Sequence, residues 1–316
     1  MTARTIAITG VAGFFSRALL PLLESDPTIE RVIGIDISQP SDLESYSKVE
    51  FHQMDIRDEG LTELLDGVDC LLHLGFILMR LPGAKAVDDI NIHGTQSVIH
   101  AAGEKGIPKL IVTGSVVGYG LHADNPVPLT EESPLRPNLN LYYSRAKAAN
   151  AAFLDEFTKG HPEMIITRLR PCTVIGPDAD PAQMAQLTGK VIPVIHGYDP
   201  PIQLLHEEDM ASALYWALKE DHPGIFNITS DEPRTIRQLV ESRGGRALPL
   251  PTWIVWSIMA LTWITRTSVF APEWVDLSRY PIVASNEKAK QAGWKPRYST
   301  PEAFLALLAA YQSGST

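Results

Sequence analysis

Thr9-Gly10-Val11-Ala12-Gly13-Phe14-Phe15-Ser16 is the stretch on which the reading of the fold turns. Before it stands a short apolar run, Thr5–Thr9, with the look of a strand. After it comes a helical stretch containing Arg17-Ala18-Leu19-Leu20. Gly10 permits a tight strand-to-helix turn. Gly13 lets backbone come close to a pyrophosphate at the helix N-terminus, where unpaired N–H groups favour anions. Ser16 stands where the Gly-x-x-Gly-x-x-Gly pattern has its last glycine; it is small, but packs less closely than glycine. Alone, the turn is also what a connection without a ligand looks like.

Asp36 ends the next strand, about 20 residues after the turn. A carboxylate there can accept hydrogen bonds from both hydroxyls of an adenosine ribose, and it repels a 2′-phosphate. Ile37-Ser38-Gln39-Pro40 brings no compensating Arg or Lys, so NAD is favoured over NADP. Arg17 is the one residue that argues otherwise. Without its context, Asp36 also reads as an ordinary strand-end turn residue.

Outward from this unit, short Val/Ile/Leu runs alternate with longer helical stretches. The strand candidates are Thr5–Thr9, Arg31–Ile37, Val49–Asp55, Cys70–Gly75, Lys109–Ser115 and Met164–Arg170; the clearest helices are Asn91–Lys105 and Tyr142–Thr158. Near-continuous apolar strands separated by helices indicate an α/β fold, a Rossmann-type doubly wound parallel sheet buried on both faces. Pro21 falls inside the first helix and should kink it. Beyond residue 177 prolines crowd in. Residues 1–177 therefore read as the dinucleotide-binding domain and 178–316 as mostly a smaller C-terminal substrate lobe, with pieces such as Gly224–Thr229 free to return to the main sheet.

The chain carries 27 basic against 37 acidic residues, a net charge of −10, and no basic run. That argues against non-specific nucleic-acid binding. Cys70 and Cys172 lie in apolar, strand-like stretches and read as reduced core thiols; no disulfide framework or metal motif is present. Met1–Arg4 leads straight into a strand rather than a secretion signal. The apolar stretch Trp253–Ile264 falls short of the roughly 20 residues a membrane span needs. A cytoplasmic protein that stays off membranes is the expectation. Trp253, Trp256, Ala260 and Trp263 recur at helical spacing and are expected to fill the core or the contact between lobes; a pocket wall or a surface-lying membrane helix are the other readings.

Tyr142-Tyr143-Ser144-Arg145-Ala146-Lys147 opens a helix. Tyr143 and Lys147, four apart, project from one face. An ammonium near a phenol favours the phenolate and would bring a tyrosine toward neutral-pH acid/base work.

With these residues the chain resembles the extended short-chain dehydrogenases/reductases, which include nucleotide-sugar epimerases and hydroxysteroid dehydrogenases. The likeness runs in order through nearly the whole chain. After the Gly10 turn and Asp36, Asp55-Ile56-Arg57-Asp58 resembles the family's acidic motif beside adenine. His73-Leu74-Gly75 resembles the end of the fourth strand, by the pyrophosphate and nicotinamide ribose. Asn91-Ile92-His93-Gly94-Thr95 resembles a helix start, Arg170–Pro177 the end of the sixth strand, and His206–Asp209 a late structural motif. The resemblance implies Tyr143 as acid/base, Lys147 as its partner and ribose ligand, and Ser115 as the hydroxyl that binds the substrate oxygen. It implies a cofactor site that includes Gly10, Gly13, Phe14, Phe15, Asp36, Asp55, Ile56, Leu74, Gly75, Phe76, Asn91, Tyr143, Lys147 and Pro171, and NAD as cofactor.

The departures from the family also inform. Its dehydratases carry an Asp-Glu pair after the catalytic Ser/Thr; here Val116 and Val117 cannot move protons. Its nucleotide-sugar enzymes often hold the substrate diphosphate with an Asn and an Arg; the equivalents are Thr173 and Ile202, while Arg136, Lys190 and Arg234 remain unplaced. The loop Phe76-Ile77-Leu78-Met79-Arg80-Leu81 is mostly apolar and suits an apolar substrate, or else packing under the second lobe. The reading is an NAD-dependent oxidoreductase acting at a hydroxyl/ketone of a fairly apolar small molecule. The alternatives are an NAD-dependent nucleotide-sugar epimerase and a non-catalytic NAD-binding regulatory protein. The two clear helices, the second rich in Ala146, Ala148, Ala149, Ala151 and Ala152, form dimer interfaces in relatives, so a homodimer is expected.

Overall fold

A computed structural model describes residues 4–78, 87–179, 184, 187–265, 267 and 271–313. The chain runs β1 (Thr5–Thr9), α1 (Phe14–Ser25), β2 (Arg31–Asp36), β3 (Val49–Gln53), α2 (Leu61–Leu64), β4 (Cys70–His73), a π-helical turn (Asp89–Gly94), α3 (Thr95–Glu104), β5 (Lys109–Thr113), α4 (Tyr142–Gly160), β6 (Ile165–Pro171) and β7 (Thr173–Ile175). Then follow β8 (Val191–Ile195), β9 (Pro201–Ile202), β10 (Leu204–His206), α5 (Glu207–Lys219), β11 (Gly224–Ile228), β12 (Arg234–Thr235), α6 (Ile236–Ser242), β13 (Arg246–Leu250), α7 (Thr252–Ile264), α8 (Glu287–Gln291) and α9 (Thr300–Ser313).

Seven strands form the central sheet in the order β11-β6-β5-β4-β1-β2-β3, every neighbour pair parallel. Successive residues of a strand point to opposite faces. Ile6 and Ile8 of β1 therefore enter one hydrophobic core, with Leu19, Leu20 and Leu23 of α1 and Met210 and Leu214 of α5. Ala7, between them, enters the other, with Val98 and Ile99 of α3 and Leu154 and Phe157 of α4. Helices cover both faces, which is why these strands read as unbroken apolar runs. The strand order changes direction between β1 and β4, and a crevice opens at the carboxyl ends of those strands, where such sheets take their ligands.

Each expected strand is present; β1 keeps the bounds of its run, and the others end one or two residues earlier or later. The helix expected from Asn91 begins as a π-turn before becoming α at Thr95. α1 continues through Pro21 to Ser25, with Pro21 exposed.

Residues after 178 do not lie apart from the first part. β11 extends the main sheet beside β6. α5 packs on α1, where Tyr215 and Lys219 both donate to Asp26 Oδ2, at 2.8 and 2.7 Å. The remainder makes small pairs, β8 with β13 in parallel and β9 with β12 antiparallel, and a third core in which Phe304 and Leu307 of α9 meet Ile175 and Leu239.

One expectation is corrected. The tryptophan stripe does not fill the core or close a contact between lobes. Trp253 is 70% and Trp256 49% exposed, and in α7 only Val255 is buried. The inward side of the helix is Val255, Met259 and Trp263; Trp253 and Trp256 lie on its outward side, with Ala260 half-buried between. The apolar density of α7 therefore exceeds what the fold beneath it can cover.

Candidate active site

The crevice at the switch point is a cavity of about 770 Å³. At its floor, Gly10 adopts φ +79°, and a Cβ there would stand 2.5 Å from the Gly75 nitrogen. The first glycine is thus demanded twice, by the turn and by the approach of the β4 end. Ser16 is fully buried, and its hydroxyl donates to the Gly10 carbonyl at 2.7 Å. The residue in the third glycine's place therefore ties the turn instead of merely tolerating close packing. α1 starts at Gly13 with no side-chain cap and no acidic residue in its first turn. Its N–H groups and positive dipole end are thus set for an anion.

Asp36, at the end of β2, accepts from Ala12 N–H (3.0 Å) and Ser38 N–H (3.1 Å), which fixes the carboxylate at the cavity edge. Asp55 and Ile56 line the same end. The Asp55 carboxylate is held at 2.7 Å by Arg57, whose guanidinium lowers its pKa. Phe14, Phe15, Arg17, Leu74, Gly75, Phe76 and Pro171 all reach the cavity.

Asn91 is placed differently. It is buried and absent from the cavity wall. Its side-chain amide donates to Ile77 O and accepts from Ile77 N–H, both at 2.8 Å, so it holds the loop after β4 from behind. The Asn91 carbonyl accepts from Thr95 and Asn150 side chains. His73 bridges Thr9 (2.7 Å) and Thr95 (2.9 Å), and burial pushes its pKa down to about 3. A polar chain thus runs behind the loop from β1 to Ile77. Of that loop, Met79, Arg80 and Leu81 lie outside the described residues.

Ser115, Tyr143 and Lys147 converge on the cavity from the ends of β5 and α4. Ser115 Oγ accepts from Val117 N–H at 3.2 Å, which leaves its own proton to donate. Tyr143 lies against Phe76, centroids 5.3 Å apart and edge-on, and against Trp274, also at 5.3 Å. Burial raises the phenol's pKa, and the Ser115 hydroxyl beside it draws it partly back. Lys147 Nζ donates to Thr113 O at 3.0 Å and stands 3.6 Å from the centre of the Phe76 ring. Burial pushes its pKa down to about 7. The expected lowering of the phenol by Lys147 is therefore not what this arrangement produces. The ammonium is 5.7 Å from the Tyr143 ring centre, Phe76 takes its near contact, and burial disfavours its charge.

Trp274 and Leu277 line the cavity too, from a 3₁₀ stretch at Pro272–Ser278. Nothing in the sequence marked them, because no local pattern reports a contact made across 131 residues, as Trp274 makes with Tyr143. Val117 and Val174 add to the apolar wall, and Thr173 also borders the cavity. Ile202 does not. Among the described lining residues the cations are Arg17 and Lys147. Arg136 is engaged with Asp124 at 2.8 Å, Arg234 with Glu232 at 2.7 Å, and Lys190 is exposed beside β8, away from the cavity.

A glycine cradle, an uncapped helix start and a strand-end carboxylate along one crevice define a dinucleotide-binding enzyme of the Rossmann class, and these residues fit such a cofactor. The chain belongs to the NAD dependent epimerase/dehydratase family, whose model matches residues 6–229. It is an NAD-dependent enzyme. An uncharacterized protein of Mycobacterium tuberculosis (strain ATCC 25618 / H37Rv) is 26% identical over 309 residues, covering 95% of this chain and 82% of that protein. Among solved structures, the UDP-glucose 4-epimerase of Thermotoga maritima, with UDP-glucose, superposes with a TM-score of 0.76 at 19% identity, covering 99% and 100% of the two chains. DesIV, a dTDP-glucose 4,6-dehydratase of Streptomyces venezuelae with NAD and TYD bound, gives 0.76 at 20% identity over 98% and 97%. At these identities the two structures speak for the fold alone.

Proposed function

We propose that this protein is an NAD-dependent oxidoreductase that interconverts a hydroxyl and a ketone on a fairly apolar small molecule. One observation carries the reading: Phe76 and Trp274 pack on Tyr143, Ile77, Leu78, Val117, Val174 and Leu277 line the same cavity, and its described cations are Lys147 and Arg17 alone. A diphosphate taken out of water needs paired donors, and Arg supplies them best. Val117 beside Ser115, in the place of a proton-transferring side chain, speaks against dehydration.

In this reading NAD lies along the crevice, with Asp36 at its adenosine ribose, the Gly10–Gly13 turn at its pyrophosphate and Lys147 toward its nicotinamide ribose. When bound, it supplies the hydride acceptor or donor. Ser115 donates its hydroxyl proton to the substrate oxygen. Tyr143 takes the hydroxyl proton in oxidation and returns it in reduction. Phe76 and Trp274 hold the phenol between them and keep water from it. Asn91 positions Ile77 rather than touching the cofactor. Residues 1–177 carry the cofactor, most of the rest shapes the substrate end, and the enzyme works in the cytoplasm as a homodimer through α3 and α4.

The test offers purified protein NAD and a panel of apolar alcohols of increasing size, with NADH absorbance as readout. UDP-glucose and dTDP-glucose run beside them. Net NADH with apolar alcohols and none with the sugars is expected. Conversion of a nucleotide sugar without net NADH would replace this reading with the epimerase. NAD binding without either activity would leave a regulatory protein, against which the convergence of Ser115, Tyr143 and Lys147 argues.

A further inference from the structure

α7 is thirteen residues long, Thr252–Ile264, and contains no charged side chain. Trp253, Trp256, Ile258, Leu261 and Ile264 are exposed, at 70, 49, 41, 63 and 70%. At 100° per residue they span roughly 200° of the helix surface, interrupted by Ser257. The helix is therefore a convex apolar ridge, anchored along one side by Val255, Met259 and Trp263. β13 leads into it through Pro251. On the exposed side of the β8–β13 pair, Val191 and Pro193 lie beside Arg246 and Leu248 in register.

Charge separates two occupants for this face. The whole chain is acidic, at −10, yet between Glu241 and Glu273 it has three arginines (Arg243, Arg246 and Arg266) and no acidic residue. Between Asp180 and Asp199, which brings in β8, the one formal charge is Lys190. Pairing β8 with β13 sets the exposed Lys190 beside the exposed Arg246, whose N–H donates to the Lys190 carbonyl. Arg243 is committed to the carbonyls of Leu187, Thr188 and Gly189. In a two-fold dimer through this face the same patch meets itself, which would set Lys190 and Arg246 against their own copies. A ridge of about 20 by 10 Å also falls well short of the roughly 800 Å² per partner of a stable dimer. It suits shallow insertion, in which an apolar face enters the acyl boundary, tryptophans sit at headgroup depth and nearby cations meet anionic lipid. Among the described residues no helix is long and apolar enough to cross a membrane.

We propose that α7 and the neighbouring β8–β13 face form a docking surface for an anionic lipid bilayer, with the helix lying in the headgroup plane. This reverses the expectation of a chain that stays off membranes, which rested on the stretch being too short to span, on the few Lys or Arg that border it in sequence and on its reading as core packing. The surface is one element from the chemistry. α7 packs on Pro272–Ser278, which carries Trp274 and Leu277 to the cavity wall. Docking would bring the substrate end of the crevice near the bilayer. The proposal itself does not depend on the oxidoreductase reading, since vesicle binding is measured without turnover.

The test is co-sedimentation of the full chain with vesicles of phosphatidylcholine alone and of phosphatidylcholine doped with phosphatidylglycerol. Binding to the doped vesicles, weakened by salt, is expected. Trp256→Glu and Leu261→Glu should each cut it at least about tenfold, since each removes a large apolar side chain from the acyl boundary and puts a charge there. Arg246→Glu should remove the preference for the doped vesicles. The NAD-induced shift in melting temperature, unchanged in all three variants, reports that they fold. Failure of the folded protein to sediment with either vesicle, or equal sedimentation of the variants, overturns the proposal. So does a dimer that Trp256→Glu dissociates while the vesicles stay bare, which would assign the ridge to a second copy.

Discussion

Two side chains carry most of what can be tested one residue at a time. Tyr143 meets the Ser115 hydroxyl through its oxygen and Phe76 and Trp274 through its ring, and the ring contacts survive loss of the hydroxyl. Tyr143→Phe should therefore fold and bind NAD, and turnover should fall by about 10²–10⁴, the usual worth of a positioned acid/base group. Retained turnover would shift the role to Tyr142, although that neighbour is buried and outside the cavity wall. Asp36 makes two demands at once, because its carboxylate anchors the turn at Ala12 and faces the adenosine end. Asp36→Ala should weaken NAD binding by about 10–100-fold, the loss of one or two hydrogen bonds to a charged group. It should narrow the preference for NAD over NADP; titration of both cofactors by calorimetry reads both effects.

At the scale of elements, the loop after β4 and the start of α5 show what holds the site in shape. Asn91, in the π-turn before α3, satisfies both the N–H and the C=O of Ile77. Asn91→Ala leaves that backbone unpaired. We expect a loss of about 1–3 kcal/mol in urea unfolding, with a fall in kcat larger than any change in NAD affinity. Glu207 opens α5 with its carboxylate at the backbone N–H of Asp178 (3.3 Å). Burial, and then the nearby Asp178, push its pKa from 4.5 up to about 7. The folded state thus holds a proton that the unfolded state has released between pH 4.5 and about 7, so this group's contribution is lost as pH rises through that window. Glu207→Gln should gain on the order of 1–3 kcal/mol over the parent above pH 7 and little at pH 4.5. Thermal melts of both proteins across that range check the sign.

For the molecule as a whole, the proposed homodimer depends on α3 and α4, although Ala146 and Ala148 are buried within the protomer and only Ala149, Ala151 and Ala152 are left half-buried or exposed for helix packing. Light scattering at micromolar concentration should give a dimer mass. A monomer mass would remove the assembly and leave the active site intact, because Ser115, Tyr143 and Lys147 all come from one chain.

Much of this was legible from residues in order. The Gly10 turn, Asp36 and the Tyr143–Lys147 spacing were readable because each is local: a turn, a strand end, one helical step. The parallel sheet was readable because strands covered on both faces must be apolar throughout, whatever covers them. Three things were decided only in three dimensions. Trp274 reaches Tyr143 from far along the chain, and a contact of that range leaves no periodicity. Lys147 and Tyr143 share a helix face, but burial shifts both pKa values against the charged form, since desolvation depends on what else arrives. The tryptophans of α7 have the spacing of a core stripe, yet Trp253 and Trp256 stay exposed, because spacing says which residues share a face and only packing says whether anything meets it.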